Sequence, residues 1–172
     1  MSRFLALAFF GTVALAALGA CVQNEPSDIR VYPDREQFIN GGVSAFMEAR
    51  CGGIDCHGQV GRPLRIYSKN GLRFETPAGG LRDTRDTTPE ERLENYQAVI
   101  GLEPEAVSDC VRTQGAYVDF QLLLKPLDDE GRGVRHKGGP VLRAGSNDPG
   151  WNCLFGWLAG AHDPQACAAA TF

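Results

Sequence analysis

"ARCGGIDCHGQVGRP", Ala49 to Pro63, places two cysteines with four residues between them and a histidine directly after the second. Three chemistries compete for Cys51, Cys56 and His57. A covalently attached haem takes two thioether bonds from cysteines and an imidazole on its iron; its usual signature has two residues between the cysteines and the histidine next. The Cys56-His57 adjacency, which brings the imidazole under the iron once the second thioether is made, is intact here, and Gly58 follows it. The spacing is enlarged by Gly52-Gly53-Ile54-Asp55, and two adjacent glycines make the required bulge cheap. A Cys51–Cys56 disulfide closing a small loop is the second reading, and it leaves His57 on the surface. Zinc is the third, but adjacent Cys-His is awkward for one tetrahedral site and no second pair stands at finger spacing. A disulfide oxidoreductase needs its thiols two residues apart at a helix start, which this stretch does not supply. Covalent haem accounts for most of it.

The compartment decides which thiol chemistry is open. Arg3 forms a charged n-region, Phe4 to Leu18 an apolar h-region, and small residues precede Cys21, so residues 1–20 read as an export signal outside the fold. Leu18-Gly19-Ala20-Cys21 resembles a bacterial lipobox, which implies lipidation of Cys21; the bland alternative is an ordinary secretory signal. Val22 in place of an acidic residue, by analogy with lipoprotein sorting, favours the outer membrane, with the protein facing the periplasm or the cell surface. Residues 21–33 then form a tether, polar and aperiodic from Gln23 to Tyr32, and residues 34–172 one domain. Beyond the leader stand 16 basic and 21 acidic side chains, which speaks against nucleic-acid binding and keeps a tethered domain soluble. In an oxidising compartment unpaired thiols are not the default. Cys51, Cys56, Cys110, Cys153 and Cys167 are odd in number, so at least one is unpaired or otherwise committed.

Periodicity predicts a mainly α fold of several short helices joined by long glycine-rich loops. A helix is expected from Asp34 to Arg50, capped by Asp34 with Gln37 three residues on, although Gly41 and Gly42 weaken it. Thr88-Pro89-Glu90-Glu91 is a capping box opening a helix through Leu93, Tyr96, Val99 and Ile100 to Gly101. Pro104 starts a third helix towards Gly115. Asp148-Pro149 starts the last, with Trp151, Leu154, Phe155 and Leu158 as its apolar stripe and Gly160 as its stop. "YVDFQLLLKPL" reads equally as a strand or a buried helical turn. The segments 57–87 and 126–147 are turn-rich, and loops of that length need something to organise them. A buried prosthetic group would do so.

The helix ending "FMEARCGGIDCHG" resembles the cytochrome c-like domains of exported bacterial proteins, of planctomycete and myxobacterial type. "LLLKPLDDEGRGVRHKGGPVLRAGSNDPGWNCLFGWLAGA" is similar to their closing segment through Lys125-Pro126, His136-Lys137-Gly138-Gly139, Trp157 and Gly160-Ala161. The likeness covers about residues 38–161, loosely over 64–115; the spacing of four and the cysteines Cys110, Cys153 and Cys167 depart from it. It implies covalent haem c on Cys51 and Cys56, iron held by His57, and a lipid-anchored single-electron carrier that meets redox proteins and the membrane. For the sixth ligand, Met47 precedes the attachment motif and reads as core. His136 matches the family's histidine; otherwise it is a loop histidine among Arg132, Arg135 and Lys137. His162, beside Asp163, reads as a solvated helix cap. Two imidazole ligands would lower the reduction potential relative to His/Met ligation.

Cys153 and Cys167 could pin the C-terminal tail, and Cys110–Cys153 is equally legal. No nucleophile–base constellation stands out, so the classes left open are the electron carrier and a haem-free structural or surface lipoprotein with a Cys51–Cys56 disulfide.

Overall fold

Asp34 opens the first helix, its carboxylate accepting the Gln37 N–H at 2.7 Å. A computed structural model describes residues 30–75, 86–143 and 147–172, and seven helices form among them. The one helix expected over 34–50 is two: α1, Arg35–Asn40, and α2, Val43–Arg50. Gly42 lies at φ +99°, a left-handed conformation that costs glycine little and other residues much, and the apolar period continues across the break although the helix does not. Gly41 is hemmed in as well, since a Cβ there would come within 2.4 Å of the His162 ring.

The capping box at Thr88 is realised in full. Its hydroxyl accepts the Glu91 N–H at 3.3 Å, the Glu91 carboxylate accepts the Thr88 N–H at 2.9 Å, and α3 runs Pro89–Ile100. Helix α4, Pro104–Arg112, buries Val107, Ser108 and Cys110. The ambiguous Leu-rich run settles as a single helical turn, α5, Gln121–Leu124, with Leu122 and Leu123 inward. Asp148 caps α6, Pro149–Leu158, through the Trp151 N–H at 2.9 Å. Helix α7, Pro164–Ala170, was not expected, yet Asp163 caps it in the same way, accepting from Gln165 and Ala166.

The core gathers around Phe38, Tyr96 and Trp157, with Phe38 5.0 Å from Trp157 and 5.6 Å from Tyr96 between ring centroids. The two polar tips in this cluster find backbone acceptors, as buried Trp and Tyr generally do: Trp157 Nε1–H donates to the Asp34 carbonyl at 2.7 Å and the Tyr96 hydroxyl to the Pro33 carbonyl at 3.0 Å. Both bonds hold the chain at the start of α1. The Val31 N–H donates to Ser108 Oγ at 2.9 Å, so residues 30–33 lie along α4. Extended pairing among the described residues is confined to two isolated bridges, Tyr67 with Leu72 and Leu127 with Leu142.

Cys153 on α6 and Cys167 on α7 form a disulfide between two helices that pack on each other, and Cys110 remains a buried free thiol. A loop of this length restricts the unfolded chain by about 3 kcal/mol. The Cys153→Ala/Cys167→Ala variant is therefore expected to unfold at lower denaturant, by roughly that free energy. Reductant should move the wild-type curve onto the variant's and leave the variant unmoved; a reductant-insensitive wild type would remove the bond from the stability account.

Candidate functional site

Two loops meet at the site, one following α2 and one following α5. Cys51 is the C-cap of α2, and the N–H groups of Cys51 and Gly52 both donate to the Met47 carbonyl, at 2.8 and 2.9 Å. The chain then folds back on itself. The N–H groups of Cys56 and Gly58 both reach the Gly53 carbonyl at 2.9 Å, and the His57 N–H reaches the Cys51 carbonyl at 3.0 Å. The four residues between the cysteines thus make a closed turn that returns His57 to the helix end. Gly53 alone in this turn has open space, whereas Gly52 is a packing glycine: a Cβ on it would strike Ser68 at 2.6 Å. Its carbonyl lies so close to Gly58 and Gly71 that a Cβ on either would come within 2.2 Å. Three stretches of backbone touch there, which explains the glycines better than bulge freedom does.

Cys56 ends on the surface and Cys51 is partly buried; both are free thiols. Burial pushes the Cys51 thiol up to about 12, the neighbouring Cys56 adding to the effect and Arg50 opposing it. His57 is half-buried, and its Nδ1 lies 2.9 Å from the Leu64 carbonyl. A carbonyl only accepts, so Nδ1 carries the proton and Nε2 keeps its lone pair. Burial lowers the His57 pKa, the Leu64 bond works against this, and the charges of His136 and Arg62 lower it further.

The second loop is held by the Pro126 carbonyl, which accepts from Val141 and Leu142 at 2.8 Å each, and by Val134 N–H donating to Leu124 at 3.0 Å. At its tip His136 closes a turn with Gly139, which stands at φ +79°, and His136 Nδ1 lies 2.9 Å from the Gly139 carbonyl. The ring centroids of His57 and His136 are 6.0 Å apart and their planes lie within 11° of parallel. A cavity of about 580 Å³ adjoins His136, lined by Leu127, Val134, Arg135, Pro140 and Arg143 among others.

The structure therefore brings the His136 ring to His57, at the turn that begins at Cys51 and contains Cys56. It keeps His162 away: that ring lies beside Gly41, and both of its nitrogens are buried without a hydrogen-bond partner among the described residues. The expected solvated cap is corrected accordingly, since the ring packs against the end of α1 at Gly41 and not into solvent. Met47 is core, as its place before the motif suggested. Cys21 lies outside the described residues. The acceptors at Leu64 and Gly139 were not foreseen, being backbone atoms; only the glycine pair after His136 hinted at the second.

Each imidazole thus has one nitrogen fixed by a carbonyl, and among the described residues neither Nε2 has a hydrogen-bond partner, the arrangement that orients histidine for a metal. Among the described residues no three His, Cys, Asp or Glu side chains gather as a metal site, and two imidazoles are too few for tetrahedral zinc. No helix among the described residues is long and apolar enough to cross a membrane. Comparison with family models, with curated proteins and with solved structures finds no match for this chain.

Proposed function

We propose that the chain is a cytochrome c-like protein, a lipid-anchored single-electron carrier of the bacterial cell envelope. In this reading haem c is attached through Cys51 and Cys56, iron is held by His57 and His136, and Cys21 carries the lipid, with the outer membrane as its site. The observation that carries the proposal is the carbonyl-anchored pair of His57 and His136, near-parallel rings with centroids 6.0 Å apart, beside two free cysteines at the motif. Bound haem supplies a one-electron couple without a substrate of its own. The residues supply the rest. Leu64 and Gly139 hold the imidazoles in the tautomer that exposes Nε2, and burial keeps His57 neutral and able to ligate. The closed turn from Gly52 to Gly58 returns the backbone of His57 to the end of α2, where Cys51 stands.

Export in a host with cytochrome-maturation machinery, followed by haem staining of a denaturing gel and optical spectroscopy, tests this. Wild type is expected to stain and to be low-spin when ferric, because two imidazoles impose a strong field. His136→Ala should stay stained and turn high-spin, His57→Ala should lose most of its haem, and His162→Ala should match wild type. A wild type without haem, or a low-spin His136→Ala, would sink the assignment.

A further inference from the structure

The histidine pair sits in surroundings whose charge opposes that of the whole protein. The chain carries a formal net charge of −4, yet residues 54–69 hold Arg62, Arg65 and Lys69 against Asp55 alone. Residues 125–143 hold five basic side chains against three acidic ones. Arg62 stands five residues after His57 in the chain, and Arg135 and Lys137 flank His136. Arg65, Arg132, Arg135 and Lys137 are exposed, and none has an acidic partner among the described residues; Arg62 reaches only the Asp55 carbonyl, at 3.5 Å. Arg132 is held at φ +62° within this loop. Large apolar side chains stand exposed on the same loops, Ile54 at 61% and Val60 at 77%, with Val134 beside His136. Unpaired cations around exposed apolar residues match the anatomy of a transient protein interface, an apolar centre that packs and a charged rim that steers.

We infer that this face docks an acidic surface of a redox partner protein, with Arg62, Arg65, Arg132, Arg135 and Lys137 guiding the encounter and Ile54, Val60 and Val134 packing at its centre. The inference rests on the electron-carrier reading, since it makes the histidine loops the place where electrons leave. An anionic bilayer is the other occupant such a face could take. It would bury the His57 and His136 loops among headgroups and close that exit, so the partner protein is the better fit.

Two probes test it on the full chain, the first of them with haem loaded. Reduced protein is oxidised by ferricyanide or by the cationic tris(phenanthroline)cobalt(III), as ionic strength rises from about 10 to about 500 mM, a range over which screening becomes complete. Local positive charge predicts that the ferricyanide rate falls by roughly tenfold while the cobalt rate rises. Net charge alone predicts the reverse for both, and that outcome overturns the inference. Arg62→Glu/Arg65→Glu should invert the two trends while haem staining is unchanged. The second probe needs no haem: poly-L-glutamate at low salt should shift the amide resonances of residues 54–65 and 132–137 and spare those of α6. If phosphatidylglycerol vesicles shift them and poly-L-glutamate does not, the face is a membrane surface and the inference fails. Protein without haem that still shows the poly-L-glutamate shifts would unseat the electron-carrier reading and leave the acidic docking surface standing.

Discussion

Arg73→Met is expected to cost roughly 3–5 kcal/mol at neutral pH, because it strands a buried carboxylate. Glu91 is fully buried, and Arg73 grips it with Nε at 3.0 Å on one oxygen and with its terminal nitrogen at 3.1 Å on the other. The same carboxylate accepts the N–H of Phe74 at 2.8 Å and that of Thr88 at 2.9 Å. A domain of this size has about 5–15 kcal/mol in all, so one such loss should move the denaturation midpoint far. The pH dependence carries the sign. Burial acts to raise the Glu91 pKa, but the bonds from Arg73, Thr88 and Phe74 and the Arg73 charge outweigh it and hold the carboxyl below its ordinary value. Between that lowered value and the unfolded value of about 4.3 the unfolded chain binds more protons, so this contribution is full above about pH 4.3 and is lost as pH falls through the folded pKa. In Arg73→Met the desolvation stays and the chief opposing charge is gone, so the deficit against wild type should shrink as acid protonates Glu91. Urea titrations across the range from about pH 7 to about pH 3 read both effects. A midpoint that does not move at neutral pH, or a deficit independent of pH, would show that the pair is not what fastens this region.

What it fastens is the floor of the site. Asn95 accepts the Tyr67 N–H at 2.6 Å and donates to the Tyr67 carbonyl at 2.9 Å, one helical turn from Glu91 on α3. The two side chains bind the segment from Tyr67 to Phe74 to that helix, and Gly71 in the segment is the seat on which Gly52 and Gly58 rest. A capping box in α3 is thereby linked to the geometry of the Cys56-His57 turn.

Local signals were readable where the cause is local. The Thr88 box and the Asp148-Pro149 start set α3 and α6 at their observed first residues, since caps and first-turn prolines act over three residues. Asp163-Pro164 repeats the second signal, but "QACAAA" shows no apolar stripe to extend it; α7 is held instead by the disulfide and by packing on α6 and α2. The Gly41-Gly42 break shows the opposite case, in which a continuous apolar period conceals a change of direction at φ +99°. At the site, Cys51, Cys56 and His57 announce themselves by spacing. His136 came only through resemblance and elimination, because nothing near it in the chain records that its loop folds back onto the first. The buried Arg73–Glu91 pair was invisible for the same reason: one partner read as a turn residue, the other as half of a capping box.

The cysteines carry the prediction with an all-or-none readout. Cys51→Ala/Cys56→Ala, exported in a host that attaches haem, is expected to show no haem staining, because neither thiol remains to form a thioether. The single variants should differ from each other. Cys56 is exposed and adjoins His57, so a thioether there would stand one residue from the imidazole that would hold the iron. Cys51 stands at the rigid end of α2, where two N–H groups bind the Met47 carbonyl, and burial raises its thiol to about 12. Cys51→Ala should therefore keep a weaker but distinct stained band, attached through Cys56 with His57 in place. Cys56→Ala should lose more, because the surviving attachment point is separated from His57 by the whole closed turn. Equal loss in the two single variants would show that the turn gives Cys56 no advantage. A double variant that stains as wild type does would mean that haem, if present, is held by neither cysteine, and the attachment motif would have to be abandoned.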